Sequence, residues 1–138
     1  MSLKMVFTII LFLVAGNAAF ADHNHQHKKP VTMQMRAQHR TMDSISEEWT
    51  VAKKSIKAGD LICADKALQT ILDKSSYMEK FEGYKNADRR VQFISEYHLF
   101  VDYVKKLRDN ISRKDTPAVH NAMQEVQDSC KRCHALFK

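Results

Sequence analysis

Two cysteines and a histidine lie close together near the end of the sequence, as Cys130, Cys133 and His134. The spacing C-x-x-C-H places these side chains on one face of a helix, because positions i, i+3 and i+4 are neighbours on its surface. Two thiols so placed can add across the vinyl groups of a haem, and the adjacent imidazole can bind the iron. The motif therefore predicts one covalently attached haem c, with His134 as the proximal iron ligand.

The same cysteine pair has three other interpretations: a dithiol redox site, half of a zinc site, or two buried residues on an apolar helix face. A dithiol catalyst is expected at a strand-to-helix junction, and the sequence predicts no βαβ unit. A zinc site of the paired type needs a second C-x-x-C, which the sequence lacks. The histidine directly after the second cysteine favours haem.

The beginning of the chain predicts export. Lys4 precedes an apolar run over residues 5–14, and Ala19-Phe20-Ala21 has the small-x-small pattern of a cleavage site. Residues 1–21 are therefore predicted to be a signal peptide that is removed, which leaves a periplasmic protein beginning at Asp22. The apolar run is shorter than the roughly 20 residues of a membrane-spanning helix, so no stable membrane insertion is expected.

The charge of the chain points to a protein partner. It carries 22 Lys and Arg against 16 Asp and Glu, a formal net charge of +6. Basic and acidic residues are interleaved along the predicted helices, so a nucleic acid is not the expected partner. The expected partner is a protein with an acidic docking face. Lys131, inside the haem motif, and Lys138, at the end of the sequence, are expected to lie around the exposed haem edge, which is the predicted docking surface. No phosphate loop or nucleophile elbow occurs, and neither an enzymatic activity nor a catalytic residue is predicted.

The rest of the chain predicts four amphipathic helices, whose apolar residues recur every three or four positions. The helices are predicted from Pro30 to Gly59, from Asp60 to Lys80, from Ala87 to Ser112, and from the start signal Asp115-Thr116-Pro117 onward, with the proline at the first helical position. Val91, Ile94 and Tyr97 begin the predicted inner face of the third helix. This pattern predicts an all-α, antiparallel up-down four-helix bundle over residues 30–138, with the haem between the first and last helices.

Two features lie outside this scheme. Residues 22–29 are polar and contain three histidines, His23, His25 and His27, which predicts a disordered tail with at most weak metal affinity. Cys63, the third cysteine, is expected to be a buried residue of the second helix; an intermolecular disulfide is the alternative.

A helical chain with C-x-x-C-H near its C-terminus resembles the class II c-type cytochromes, that is, cytochrome c-prime and its low-spin, methionine-ligated relatives. Its last two helices are also similar to those of the periplasmic b-type cytochrome bundle. The resemblance covers residues 30–138 and implies thioether bonds at Cys130 and Cys133, with His134 as proximal ligand. Related bundles often form homodimers through their first two helices, so a homodimer is a further implication.

The resemblance also implies where the second iron ligand lies. In this family, the residue that faces the other side of the iron comes from the first helix, a few turns after its start. Met42 is the implied ligand and Met35, one heptad earlier, is the alternative. Met33 is weaker because it falls off the inner face, and His39, one helical turn from Met35, is a further possible ligand. Arg36 and Arg40 are the candidates for the basic residue that the family places near the haem propionates.

Three functions remain open at this point. If His134 and Met42 both bind the iron, the closed coordination shell implies an electron carrier. If the sixth position is open, the resemblance implies a five-coordinate binder of nitric oxide or carbon monoxide. The third alternative is a haem-free, exported metal-binding bundle that uses the N-terminal histidines.

Overall fold

The computed structural model describes residues 32–138, so the predicted signal peptide, the predicted tail and Pro30 lie outside the described residues. The described chain forms four α-helices: α1 (Met33–Ala58), α2 (Leu61–Ser75), α3 (Arg90–Ser112) and α4 (Thr116–Phe137). Two single-turn 3-10 helices, Met78–Lys80 and Ala87–Arg89, lie between α2 and α3. Residues 32–138 contain no strand, and the predicted all-helical fold is confirmed.

The helix ends follow local capping rules, with one correction to the prediction. α1 begins at Met33 and not at Pro30, because the Thr32 hydroxyl accepts a hydrogen bond from the Met35 backbone N–H at 3.1 Å. α1 ends before Gly59, which adopts the left-handed conformation (φ +77°) that glycine tolerates best. α4 begins at Thr116, inside the predicted start signal, so that Pro117 occupies the second helical position and the Asp115 side chain accepts from the Ala118 backbone N–H at 3.1 Å.

Two predictions about α2 and α3 are wrong in detail. α2 ends at Ser75 and not at Lys80, because the Tyr97 hydroxyl of α3 donates to the Ser75 carbonyl, one of those that a helix end leaves without an intrahelical partner. Val91 is 87% exposed, although it was predicted on the inner face. The inner face of α3 begins at Phe93. Val91 is two positions earlier and therefore lies on nearly the opposite side of the helix.

The helices enclose one apolar core, and they do not approach one another equally. α1 packs along α2 and α3 packs along α4, while α2 and α3 meet over a shorter stretch. α1 and α4 approach each other less closely than any of these pairs, so a cleft lies between them. The side chains with the least exposure in the core are Ala52, Ala64, Leu68, Ile71, Val104, Leu107, Ala122 and Val126. None of the helices in the described range is both long and apolar enough to span a membrane.

An ion pair joins α2 to α3. Arg108 donates to both carboxylate oxygens of Asp65, from Nε to Oδ1 at 2.7 Å and from Nη2 to Oδ2 at 3.1 Å. These hydrogen bonds from Arg108 hold the pKa of the Asp65 carboxyl below its ordinary value of 3.8. Because the pKa is lowered in the folded state, the stabilisation is fully present above pH 3.8 and is lost as the pH falls through the folded-state pKa.

We therefore expect Arg108→Met to lower the free energy of unfolding at pH 7 by about 0.5–1 kcal/mol, a range that allows for solvent screening of this partly exposed pair. The loss should be smaller at pH 3, because Asp65 of the unfolded chain takes up a proton below its ordinary pKa of 3.8 and the contribution of the pair then declines. Urea unfolding at pH 7 and pH 3 measures the difference. Lys105→Met is the control, because the Lys105 amine lies 3.9 Å from Asp102 on an exposed part of the same helix. An equal loss at both pH values for Arg108→Met would contradict the prediction.

Candidate haem site

The C-x-x-C-H motif lies in the last two turns of α4, where the helix brings its three functional side chains to one face. Cys130 and Cys133 are half-buried and pack against the apolar core, and neither forms a disulfide. His134 lies at the exposed edge of the same face. The motif therefore lies between the core and solvent. This position suits a planar group that is attached to the helix along one of its edges.

Three cavities lie around the α1–α4 cleft, and Met42 and His134 line all three. The innermost, of about 50 Å³, is lined almost entirely by apolar side chains together with Cys130 and Cys133. The second, of about 80 Å³, extends towards His39, and the third, of about 270 Å³, is bordered by lysines. A larger groove of about 550 Å³ between α2 and α3 contains none of the predicted ligands.

The three side chains of the motif are in their uncharged forms at neutral pH. Burial raises the pKa of the Cys133 thiol to about 11, and the nearby Glu96 carboxylate adds to the increase. Burial also raises the pKa of Cys130, against the opposing charge of Lys53. Burial lowers the pKa of His134, so its imidazole stays neutral and can bind a metal.

A hydrogen-bonded bridge between α1 and α4 closes the cleft towards the middle of the bundle. The indole N–H of Trp49 donates to Gln127 Oε1 at 3.2 Å, and Lys53 Nζ donates to the same oxygen at 3.3 Å. The Lys53 amine also lies 5.6 Å from the centre of the Trp49 ring. This bridge begins one helical turn before Cys130 and therefore limits how far the cleft extends along α4.

The segment between α2 and α3 closes the other end by capping α4. The backbone N–H groups of Tyr84 and Lys85 donate to the Phe137 carbonyl at 2.9 and 3.1 Å. The Asn86 side-chain amide donates to the Leu136 carbonyl at 2.7 Å. These bonds supply donors for carbonyls that have no partner within the helix, so the haem motif is held at a capped helix end.

Gly83 lets this segment approach α4 closely. A Cβ atom at Gly83 would lie 2.7 Å from Cδ1 of Phe137 and 2.6 Å from the Lys85 carbonyl oxygen, which is too close for any other residue without displacement. Phe137 in turn packs edge-to-face on Phe93, with ring centres 5.3 Å apart. Phe137 thus anchors the last turn of α4 three residues after His134.

The structure separates the candidate second ligands. Met42 lines all three cavities, whereas Met35 lines none of them, and the Met35 backbone carbonyl accepts from the Tyr84 hydroxyl at 3.4 Å. Met33 is 86% exposed. His39 lines the second cavity with its ring 5.0 Å from that of Tyr84. Of the four predicted candidates, Met42 is the one that lines all three cavities with His134.

Other predicted residues lie elsewhere. Arg36 and Arg40 are exposed on α1 and line none of the three cavities. Cys63 is only half-buried, and it lies on α2, away from the cleft. Gln127 and residues 81–86 also border the site, although the sequence pattern does not predict it. Their partners are distant in the chain, and Gly83 in an otherwise glycine-poor sequence was the available signal.

The residues present fit a covalently attached haem. Two thiols, an imidazole and a thioether meet in a largely apolar cleft, and sulfur and imidazole are the donors that bind haem iron in c-type cytochromes. No carboxylate lines the innermost cavity. Within residues 32–138, no group of three or more His, Cys, Asp or Glu side chains is placed to hold a bare metal ion.

A protein-family model described as Cytochrome C' matches residues 87–138, which contain α3, α4 and the motif. No curated protein and no solved structure matches the chain. The match supports a haem-binding c-type cytochrome. More narrowly, it supports one of class II, and the all-helical fold is consistent with that assignment. The matched segment does not include α1, so Met42 lies outside it.

Proposed function

We propose that the protein is an exported electron-transfer cytochrome in which Cys130 and Cys133 hold one haem c and His134 and Met42 ligate its iron. The observation that carries the proposal is that Met42 of α1 and His134 of α4 line the same three cavities. The proposal includes an antiparallel up-down bundle over residues 30–138, export directed by residues 1–21, and no stable membrane insertion.

The haem would supply reversible one-electron transfer. The chain's own residues would set the reorganisation energy and the reduction potential of that transfer. Cys130 and Cys133 attach it to α4, and both proposed ligands lie on helices that pack into one core. Ligands held in this way move little when the iron changes charge, which keeps the reorganisation energy small. The apolar lining disfavours the additional positive charge of the ferric state, and a methionine thioether has the same effect, so both raise the reduction potential.

The rim of the cleft favours an acidic partner. Lys53, Lys131 and Lys138 line the third cavity, and Asp43 is the one carboxylate that borders it. This excess of positive charge lies where the edge of a bound group would be most accessible. We propose that a redox partner with an acidic docking face binds here, with an association rate that falls as ionic strength rises.

A second candidate function has one observation in its favour. The innermost cavity is also lined by Ile45, Tyr97 and Phe100, and apolar side chains of this kind could cover an iron that lacks a sixth ligand. In that case the protein would be a five-coordinate binder of nitric oxide or carbon monoxide. Met42 would then limit access to the iron and would not bind it.

Covalent attachment is the first test. The chain should be produced with the c-type haem attachment machinery, denatured, and assayed for haem that remains bound to protein. We expect bound haem in the wild type and in the control Cys63→Ala, and none in Cys130→Ala/Cys133→Ala. Absence of covalent haem from the wild type would overturn the proposed function.

Optical spectra of the same preparations separate the two candidate functions. Sharp ferrous bands, a weak ferric band of sulfur ligation at long wavelength and no response to carbon monoxide would support electron transfer. A broad high-spin spectrum that shifts on addition of carbon monoxide would support the gas-binding function.

A further inference from the structure

Arg132, which lies between the two cysteines of the motif, is held by a residue of another helix. Its Nε donates to Glu96 Oε2 of α3 at 2.7 Å. The Glu96 side chain is only 17% exposed, and among the described residues each partner forms its one salt bridge with the other. Lys131, the neighbouring residue of the motif, differs in both respects: it is 66% exposed and pairs with Asp128 on its own helix.

This ion pair connects the haem motif to α3. Hydrogen bonds between two charged groups are about twice as strong as neutral ones, and a partner on a second helix opposes rotation of α4 about its axis. Rotation matters here because one residue corresponds to about 100° around a helix, enough to turn a thiol away from the cleft. The Arg132 Nη2 atom is buried without a hydrogen-bond partner among the described residues, so the hydrogen bond from Nε to Glu96 is the one that fixes the guanidinium.

The pair also places two opposite charges beside Cys133. Arg132 directly precedes Cys133 in the motif, and its Nε holds the Glu96 carboxylate at 2.7 Å. Both charges therefore act on a sulfur through which the haem would be attached. Charges near a partly desolvated site are screened less than charges in water, so they also act on a group bonded to that sulfur.

We infer that Glu96 and Arg132 form a positioning pair that holds the haem motif against α3 and shifts the reduction potential of the attached haem in opposite senses. The inference rests on the proposed covalent attachment. A negative charge stabilises the ferric state and a positive charge stabilises the ferrous state. In the intact pair, the effects of the two charges on the reduction potential nearly cancel. When one partner is removed, the remaining charge acts on the potential alone.

The test is the midpoint potential of the haem-loaded chain, measured by spectroelectrochemistry in the wild type, Glu96→Gln, Arg132→Gln and the double variant. At a fixed applied potential, we expect Glu96→Gln to raise the ratio of reduced to oxidised protein about threefold and Arg132→Gln to lower it about threefold. The double variant should lie near the wild type. Lys131→Gln is the matched control, because it removes one positive charge from the motif at a solvated position, and its effect should be smaller.

Shifts of both single variants in the same direction, or a shift in Lys131→Gln as large as that in Arg132→Gln, would overturn the inference and leave the proposed function intact. Absence of covalent haem from the wild type would overturn both. If Glu96→Gln fails to load haem, covalent haem attachment is measured in Glu96→Asp, which keeps the negative charge. Recovery of attachment in Glu96→Asp supports the ion pair, and its failure as well would overturn it.

Discussion

Replacing Met42 by alanine is expected to convert the iron from low-spin to high-spin and to let the ferrous protein bind carbon monoxide. Of the four candidates for the second ligand, Met42 alone lines all three cavities together with His134. Alanine cannot reach the iron, so the sixth position would be left open to an external ligand. The reduction potential should fall as well, because thioether ligation favours the ferrous state. Spectra with and without carbon monoxide and a redox titration measure both changes.

Two other methionines provide matched controls for this substitution. Met78 is 6% exposed and lines the first and second cavities, but not the third; Met35 lines none of the three. Met78→Ala should loosen the same apolar lining without removing a ligand, and Met35→Ala should leave the spectrum unchanged. Carbon monoxide binding by the wild type would contradict methionine ligation. A high-spin spectrum in Met35→Ala alone would reassign the ligand to Met35.

Phe137→Ala is expected to lower the free energy of unfolding by about 3–5 kcal/mol, the usual cost of truncating a buried phenylalanine. Phe137 is 3% exposed, packs on Phe93 and fills the space that Gly83 leaves open. Its loss would create a cavity at the end of α4 that carries His134. Denaturant unfolding of the haem-loaded chain measures the difference.

Leu136→Ala is the control for this second substitution. Leu136 is only half-buried, so we expect a loss of about 1 kcal/mol, in proportion to the smaller apolar area that it buries. The caps from Tyr84 and Asn86 bind the backbone carbonyls of Phe137 and Leu136, so both variants retain them. If Phe137→Ala and Leu136→Ala lower the free energy of unfolding equally, the packing of Phe137 on Phe93 and Gly83 contributes little to stability, and the prediction is contradicted.

Features that depend on neighbours within one or two helical turns could be predicted from the sequence. The common face of Cys130, Cys133 and His134 follows from the helical period, and the ends of helices at Gly59 and Asp115 follow from local backbone and capping preferences. Met42 keeps its place on the inner face although α1 begins three residues later than predicted. Its orientation depends on the period and not on where the helix starts.

Features whose partners are far apart in the chain depend on how the helices pack and could not be predicted. α2 ends at Ser75 because Tyr97, on a different helix, binds the Ser75 carbonyl, and no pattern within α2 encodes that contact. Arg132 has the sequence signature of an ordinary solvated residue, yet Glu96, 36 positions earlier, holds it beside the cleft. Such pairs form when whole helix faces pack together. Helical periodicity specifies which face of a helix is apolar, but which charged residues at its edges meet depends on the rotation and offset of two packed helices.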